Sequence, residues 1–423
     1  MMGTSQSIRI PSRMSLVCSV IVAPWAPQGV YHPARPRIKC AGSPGRVDGG
    51  PLSADNYSPR DREDDPFDRA SDPRARSSRR ARRRPAAARA RVTPVRVAAV
   101  GVGMWGKALA DACAKSGALA VVACTSRSAE SREAFARTHR CRALPDYDAV
   151  LADPEVEGVL LTTPHSQHAE QVVAAAGAGK HVFVEKPFTL SLADARRATE
   201  ACGKAGVVLA VGHQRRRQAA NRALRRLVDE GAFGRVVQIE GNLSQTIAFS
   251  RGLKPGMWRA TRAETPGGSI TNLGIHHIDT YQYLLGPVAR VTALARRVAL
   301  TGVDIDDTTA ILFEFASGGL GYLGTSWVYA NAGAVIALHG TEAQAWSEAD
   351  GARLLLQRRG ESERAPVPLP PTAPVVEELA EFATCVRTGG APEVGGAEGA
   401  AAVAVLEAVV ESAETGRTVT VGQ

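Results

Sequence analysis

Val95-Arg96-Val97-Ala98-Ala99-Val100-Gly101-Val102-Gly103-Met104-Trp105-Gly106 decides how this chain is read. A short apolar run rich in valine closes on three glycines, and a helical pattern begins at once. A nucleotide's pyrophosphate needs that arrangement. Gly101 permits the tight turn off the strand, Gly103 removes a side chain where backbone must approach phosphate oxygens, and Gly106 lets the new helix pack closely. The free N–H groups and the positive end of the helix dipole then face the anion. A tight strand-to-helix turn without a ligand can carry the same glycines. The placement between strand and helix, with further such units behind it, favours dinucleotide binding.

Downstream of Val95 the pattern alternates strand and helix. Strands are expected over Val95–Val100, Leu119–Cys124, Cys141–Leu144, Gly158–Leu161, His181–Val184 and Val207–Val211. Helices are expected over Met104–Ser116, Ala129–Thr138, Tyr147–Ala152, Ser166–Ala178 and from Ser191 to Ala205, the last opened by a capping box of Ser191 with Asp194. Apolar strands between amphipathic helices predict a doubly wound, parallel sheet. After a helix over Gln218–Glu230 the pattern changes to longer strands. These are Arg235–Leu243, Val288–Val298, Thr308–Phe315, Leu320–Val328, Val335–His339, Ala343–Trp346 and Arg353–Gln357. Turns such as Ser317-Gly318-Gly319 predict an antiparallel meander in one wide sheet with one packed face. Helices Val375–Arg387 and Ala397–Thr415 and a strand Thr418–Val421 close the chain. The expected division is a leader over 1–94, a dinucleotide-binding domain over 95–215 and a substrate and oligomerisation domain over 216–423.

Four stretches carry residues able to do chemistry. At the end of the second strand, Cys124-Thr125-Ser126-Arg127 lacks the acid that would bind ribose hydroxyls about 20 residues past the glycines. Ser126 can donate to a 2′-phosphate, and Arg127 can pair with it and stack on adenine, a pattern for NADP over NAD. The plainer alternative is a solvent-facing arginine that also tolerates NAD. After the fourth strand comes Thr162-Thr163-Pro164-His165, with His168 three residues on. Read alone it is an ordinary loop; at a strand end, Thr163, Pro164, His165 and His168 are candidates to touch the cofactor.

Glu185-Lys186-Pro187 ends the fifth strand. Lys186 can donate a proton to, or take one from, the oxygen on a carbon undergoing hydride transfer, and desolvation would lower its pKa toward the working range. Glu185 is a further candidate beside the cofactor; a surface ion pair of the two is the alternative reading. In Gly267 to Asp279, a helix starting near Asn272 would put Asn272, His276 and Asp279 at i, i+4 and i+7 on one face, with His277 pointing elsewhere. A histidine held by a carboxylate is a plausible general base, and a satisfied core network has the same pattern. His-x-x-Asp has metal-ligand spacing, but no third ligand is evident and no metal is expected. Past the sixth strand, Gln214 is a candidate hydrogen-bonding group for cofactor or substrate, and Arg215 or Arg216 could clamp a carboxylate or phosphate.

Ala99 to Gly106, Thr163-Pro164, Gly179-Lys180-His181-Val182-Phe183-Val184-Glu185-Lys186-Pro187 and Gly267–Asp279, in this order and spacing, resemble the Gfo/Idh/MocA oxidoreductases. The resemblance runs from about Val95 to Val421. It implies a Rossmann domain followed by an α/β domain whose open sheet often forms an oligomer interface, in a homodimer or homotetramer. It implies hydride transfer between NAD(P) and a hydroxyl carbon of a sugar, cyclitol or related polyol. By carry-over Lys186 is the catalytic lysine and His276 the acid/base histidine. Ser126-Arg127 resembles the pair of NADP-using members, and Met104 and Trp105 belong to the glycine-rich cofactor turn. Trp258-Arg259 resembles a segment lining the nicotinamide pocket, and the Lys186–Pro187 bond is expected to be cis. Many members have Asp where this chain has Asn272. Asn272 cannot act as a base but can hydrogen-bond a substrate hydroxyl, so the relay is shortened to Lys186 and His276 or rerouted through Asp279. Two other readings stay open: a glycoside hydrolase holding its dinucleotide tightly, and a sugar or cofactor sensor without turnover.

The net charge of +9 is concentrated in the leader. Residues 1–94 carry a net +10 and residues 95–423 a net −1, so charge gives no support for nucleic-acid binding by the body. The leader is rich in Arg, Pro, Ser and Asp without apolar periodicity and reads as disordered. Its apolar patch Met14–Ala26 faintly resembles a secretory signal but lacks a convincing cleavage site. The seven cysteines include no Cys-x-x-Cys pair and read as reduced thiols of a cytoplasmic protein. No apolar run approaches the ~20 residues of a membrane span.

Overall fold

The computed structural model describes residues 93–247 and 253–422. The readings of the leader, including Met14–Ala26, lie outside the described residues.

Strands β1 (Val95–Val100), β2 (Leu119–Thr125), β3 (Arg142–Ala143), β4 (Gly158–Leu161), β5 (His181–Glu185) and β6 (Leu209–Gly212) form a parallel sheet in the order β3-β2-β1-β4-β5-β6. The order reverses between β1 and β4, the place where an open sheet of this kind receives ligands beyond its strand ends. Helices α1 (Met104–Ser116), α2 (Ala129–His139), α3 (Tyr147–Ala152), α4 (His168–Gly177) and α5 (Leu192–Ala205) connect the strands. Their ends follow local chemistry. Ser128 accepts from Ser131 N and Asp146 from Ala149 N, while Gly117 and Gly206 close α1 and α5 in the left-handed region. The Ser191 cap is half of the expected box: its hydroxyl accepts from Asp194 N at 3.1 Å, and its own proton goes to the Asp194 carboxylate at 2.9 Å. Helix α4 starts later than Ser166 because His165–Gln167 forms a separate 3-10 turn.

Helix α6 (Ala219–Asp229) leads to a nine-stranded sheet. Its strands are β7 (Val236–Ser244), β8 (Val288–Arg296), β9 (Thr308–Phe315), β10 (Leu320–Ser326), β11 (Gly333–Gly340), β12 (Ala343–Glu348), β13 (Arg353–Arg358), β14 (Ala365–Pro366) and β15 (Val419–Thr420). The order is β14-β13-β12-β11-β7-β10-β9-β8-β15. A simple meander would put β7 beside β8. Instead β7 lies between β10 and β11 and runs parallel to β10. The reason is the long excursion after β7, which carries a helix and returns the chain near the sheet's far edge; a parallel pair needs such a crossover.

That excursion ends in a π-helical turn, Ile270–Gly274, running into α7 (Ile275–Leu285). One face of the sheet packs on α7 and on α9 (Gly396–Thr415), burying Ile239, Ile278, Tyr281, Phe313, Leu323 and Val405 in one core. Helix α8 (Pro374–Thr388), which chain order assigns to the second domain, packs on the first sheet, where Leu379 and Phe382 join Val95, Val97 and Leu109.

Gly267 and Gly268 both have positive φ, at 73° and 63°. A Cβ on Gly268 would lie 1.6 Å from the Asp306 carbonyl oxygen, so backbone meets backbone and nothing can swing aside. Gly268→Ala is therefore expected to cost on the order of 3 kcal/mol or to prevent folding. Gly117→Ala, in open space at a similar φ of 65°, should cost only about 1–2 kcal/mol. Chemical denaturation of the two variants checks the contrast.

Candidate functional site

The glycine turn sits at the reversal of the first sheet. Gly101 has φ 88°, and a Cβ there would press 2.9 Å from the Thr162 carbonyl group. A Cβ on Gly106 would lie 2.1 Å from the Gly101 oxygen, so the first turn of α1 can carry only a glycine at that position. Gly103 has no neighbouring atom within 4 Å of where its Cβ would stand. Its emptiness faces outward, and α1 has no side-chain cap and no acid in its first turn. A helix start without a side-chain cap or an acid suits an outside anion, and a pyrophosphate fits that requirement.

A cavity of about 780 Å³ opens over this turn, lined by Gly101, Gly103, Ser126, Arg127, Thr163 and Pro164 among others. Sequence reading missed Ser128, Ser131, Gln167 and Gln171, which also line it. Ser128 and Ser131 are hydroxyls on the helix entry beside Arg127, a signal that the order Ser-Arg-Ser-Ala-Glu-Ser did carry. The carboxylate at this end, Asp146, is engaged in capping Ala149 N at 2.8 Å.

The second cavity, of about 840 Å³, receives the ends of β5 and β6 and the start of α7. Of the residues singled out in the sequence, Met104, Trp105, Arg127, Lys186, Gln214, Trp258, Arg259, Asn272 and His276 line it together. Arg127 and Trp258 belong to both cavities. Lys186 follows β5, its bond to Pro187 is cis, and its Nζ donates to the Asn272 carbonyl at 2.8 Å. Burial pulls the Lys186 amine down to about 8 against the opposing pull of Glu185. Burial pushes the Glu185 carboxyl up to about 7. His276 is held well below its ordinary range, first by burial and then by the nearby charge of Lys186. The apolar part of the wall comes from Leu243, Leu273 and Trp327, which the sequence did not flag because they read as ordinary strand and helix interior.

Five candidates, Asp279, Arg216, His165, His168 and Glu185, lie elsewhere. Asp279 is on α7 but faces away from the cavity, because Arg216 takes its carboxylate through Nε at 3.0 and 2.9 Å and Nη2 at 2.6 Å. The rerouted relay therefore has no direct Asp279 contact with the cleft. His165 is buried: its Nδ1 lies 2.7 Å from the Glu264 carbonyl and its ring stands edge-on to Trp258. It braces the segment bearing Trp258, an anchorage completed by Ser166, whose N–H and hydroxyl donate to the Glu264 carboxylate at 3.0 and 2.6 Å. His168 is fully enclosed, with ring nitrogens 2.9 Å from Pro187 O and 3.1 Å from Thr163 O, so it ties two strand ends together and touches neither cavity. Glu185 is buried behind Lys186 with Oε1 unpartnered, and lines neither cavity.

Residues 95–213 match the model of the oxidoreductase family with an NAD-binding Rossmann fold, and residues 221–346 match the GFO/IDH/MocA C-terminal domain. The chain is 30% identical to a 1,5-anhydro-D-fructose reductase of Ensifer adhaerens over 307 residues, 70% of this chain and 90% of the reductase. It is 31% identical to a D-apiose dehydrogenase of Paraburkholderia graminis, covering 72% of this chain and 83% of the other. A crystal structure from Desulfitobacterium hafniense, assigned provisionally as an NADPH-dependent oxidoreductase, superposes with a TM-score of 0.73 at 34% identity, covering 78% of this chain and 98% of that one. Levoglucosan dehydrogenase in complex with NADH shares the fold at a TM-score of 0.72 and 23% identity, over 78% of this chain and 100% of that one.

The lowered Lys186 value predicts a neutral amine above pH 8 and a charged one below. Competitive amine labelling across pH, read by mass spectrometry at Lys186, should show half-maximal reactivity near 8. A midpoint near the ordinary lysine value of 10.5 would contradict the desolvated site.

Proposed function

The chain belongs to the Gfo/Idh/MocA family of oxidoreductases, and on that premise we propose that it moves a hydride between NADP, or less readily NAD, and a hydroxyl-bearing carbon of a sugar, cyclitol or similar polyol. The observation that carries this reading is that Lys186 and His276, brought in by different sheets, line one cavity adjoining the glycine turn. When bound, the nicotinamide ring supplies the acceptor or donor of the hydride. Oxidation then needs a base for the hydroxyl proton, and His276, kept neutral by its surroundings, is placed to take it. Lys186, fixed by the Asn272 carbonyl, donates to the same oxygen and steadies the negative charge that builds there. The Asn272 amide nitrogen is buried without a partner and can donate to a neighbouring oxygen of the polyol. Leu243, Leu273 and Trp327 exclude water from one side. The named activities of the 1,5-anhydro-D-fructose reductase and the D-apiose dehydrogenase support a sugar as substrate.

The preference for NADP rests on Ser126, Ser128, Ser131 and Arg127 around the adenosine end, where an acid able to hold free ribose hydroxyls is lacking at 125–127. We place the enzyme in the cytoplasm as a homodimer or homotetramer; among the described residues no helix is long and apolar enough to cross a membrane. The assembly surface is the outer face of the nine-stranded sheet, where Leu294, Leu312 and Leu320 are 58–60% exposed beside Tyr322 and Val335.

Absorbance of NADPH and NADH followed against a panel of keto-sugars, inosones and anhydro-sugars tests the reaction. Turnover of at least one with NADPH is expected, and none with either cofactor would refute it. Arg127→Ala should raise KM for NADPH roughly 10- to 100-fold, the worth of one charged hydrogen bond, and leave KM for NADH nearly unchanged. A Leu312→Glu variant should sediment as a smaller species than the parent chain.

A further inference from the structure

Behind His276 the structure holds an unused pair of polar groups. His213 follows β6 and is only 2% exposed, and both of its ring nitrogens are buried without a hydrogen-bond partner. Its Nδ1 lies 3.8 Å from Asp279 Oδ2, and its ring stands perpendicular to that of His276 with centroids 6.5 Å apart. Nδ1 of His276 is likewise buried and unpartnered. His276 lines the cavity and its Nδ1 is buried, which leaves Nε2 for the cleft. Three orphaned nitrogens thus sit on two neighbouring rings, one ring in the cavity wall and the other beside a buried carboxylate. Orphaned buried polar atoms are uncommon in folded proteins, and a cluster of them calls for an explanation.

We propose that His213 is a positioning residue for His276, completing a relay Asp279–His213–His276 that sets which nitrogen of His276 carries the proton. The proposal rests on the base role given to His276 above. The Asp279 carboxylate, held by Arg216, favours the tautomer of His213 with its proton on Nδ1. Nε2 of His213 is then an acceptor. The Nδ1–H of His276 needs one, directly after a small closure or across one bridging water. With its Nδ1 proton so engaged, His276 turns a bare Nε2 to the hydroxyl. When Nε2 takes that proton, the charge on the imidazolium is felt by Asp279 through an intervening ring. No proton need leave His213, so the relay orients and stabilises without titrating.

The surroundings agree. His276 faces the charges of Lys186 and Arg215 and the rings of His213 and His277, none of which accepts its Nδ1 proton in the arrangement described. His213 faces Asp279, Arg216 and Lys186, and burial keeps it neutral, pulled down to about 4. Asn272, where a carboxylate would be the obvious partner of His276, leaves His276 Nδ1 unpartnered, and only its backbone carbonyl is engaged, by Lys186.

Nitrogen-15 histidine labelling with long-range proton–nitrogen correlation reads the tautomer directly in the full chain, with the His276 signal assigned by its loss in His276→Asn. Wild-type His276 should carry its proton on Nδ1. His213→Phe should move it toward Nε2, and His213→Gln, which offers an acceptor and a donor, should restore it in part. On whichever sugar the panel turns over, kcat should fall ~10- to 100-fold in His213→Phe with KM and NADPH binding unchanged. A His276 tautomer already on Nε2, or one unmoved in His213→Phe, overturns the proposal. If His213→Phe fails to bind NADPH or to fold, His213→Asn, too short to bridge, is read by the same criterion. Should no polyol turn over, the tautomer still decides the relay, and only the oxidoreductase chemistry falls.

Discussion

The bond from Lys186 Nζ to the Asn272 carbonyl holds the site together. A buried amine is costly in a low-dielectric setting, and it stays only where acceptors replace lost water. Asn272 can offer its carbonyl because it sits in a π-helical turn, whose wider winding frees backbone groups that an α-helix would use. The widened turn in turn depends on glycines: Gly268 lies against the Asp306 backbone and Gly274 against Ile270. One hydrogen bond thus joins the end of a parallel strand to the start of a helix on another sheet.

The charge around this bond is graded with depth. The cleft carries Arg127, Lys186, Arg215 and Arg259, and among its described lining residues there is no carboxylate. The acids stand one layer back. Glu185 and Asp279 are buried behind Lys186 and His276, and Glu378 is buried as well, with burial driving its carboxyl well above the usual range. The paired Arg216 and Asp279 satisfy each other, since an ion pair this deep would be costly with either partner missing. The arrangement leaves the cavity wall rich in donors and concentrates acceptors behind it.

Much of this was legible in the chain. Periodicity placed the first sheet's strands within a residue or two, because all but the two-residue, exposed β3 are short and apolar. The glycine roles at Gly101, Gly103 and Gly106 followed from what a turn can tolerate. Lys186, Asn272 and His276, singled out because reactive groups at strand and helix ends are few, line one cavity. Pattern could not see β7 beside β10, since crossover pairing leaves no local trace. It also missed the fate of His165, His168 and Asp279. Those three are polar groups whose partners are backbone carbonyls or an arginine distant in sequence, and nothing near them in the chain announces that engagement. His213 was passed over for the same reason, as a lone histidine after a buried strand.

Trp258 and Arg127 each form wall in both cavities, and Trp258 is clasped from beneath by His165. A shared wall makes the two occupants thermodynamic neighbours. By whatever factor an occupant of one cavity changes the affinity of the other cavity for its own, the second changes the first by the same factor.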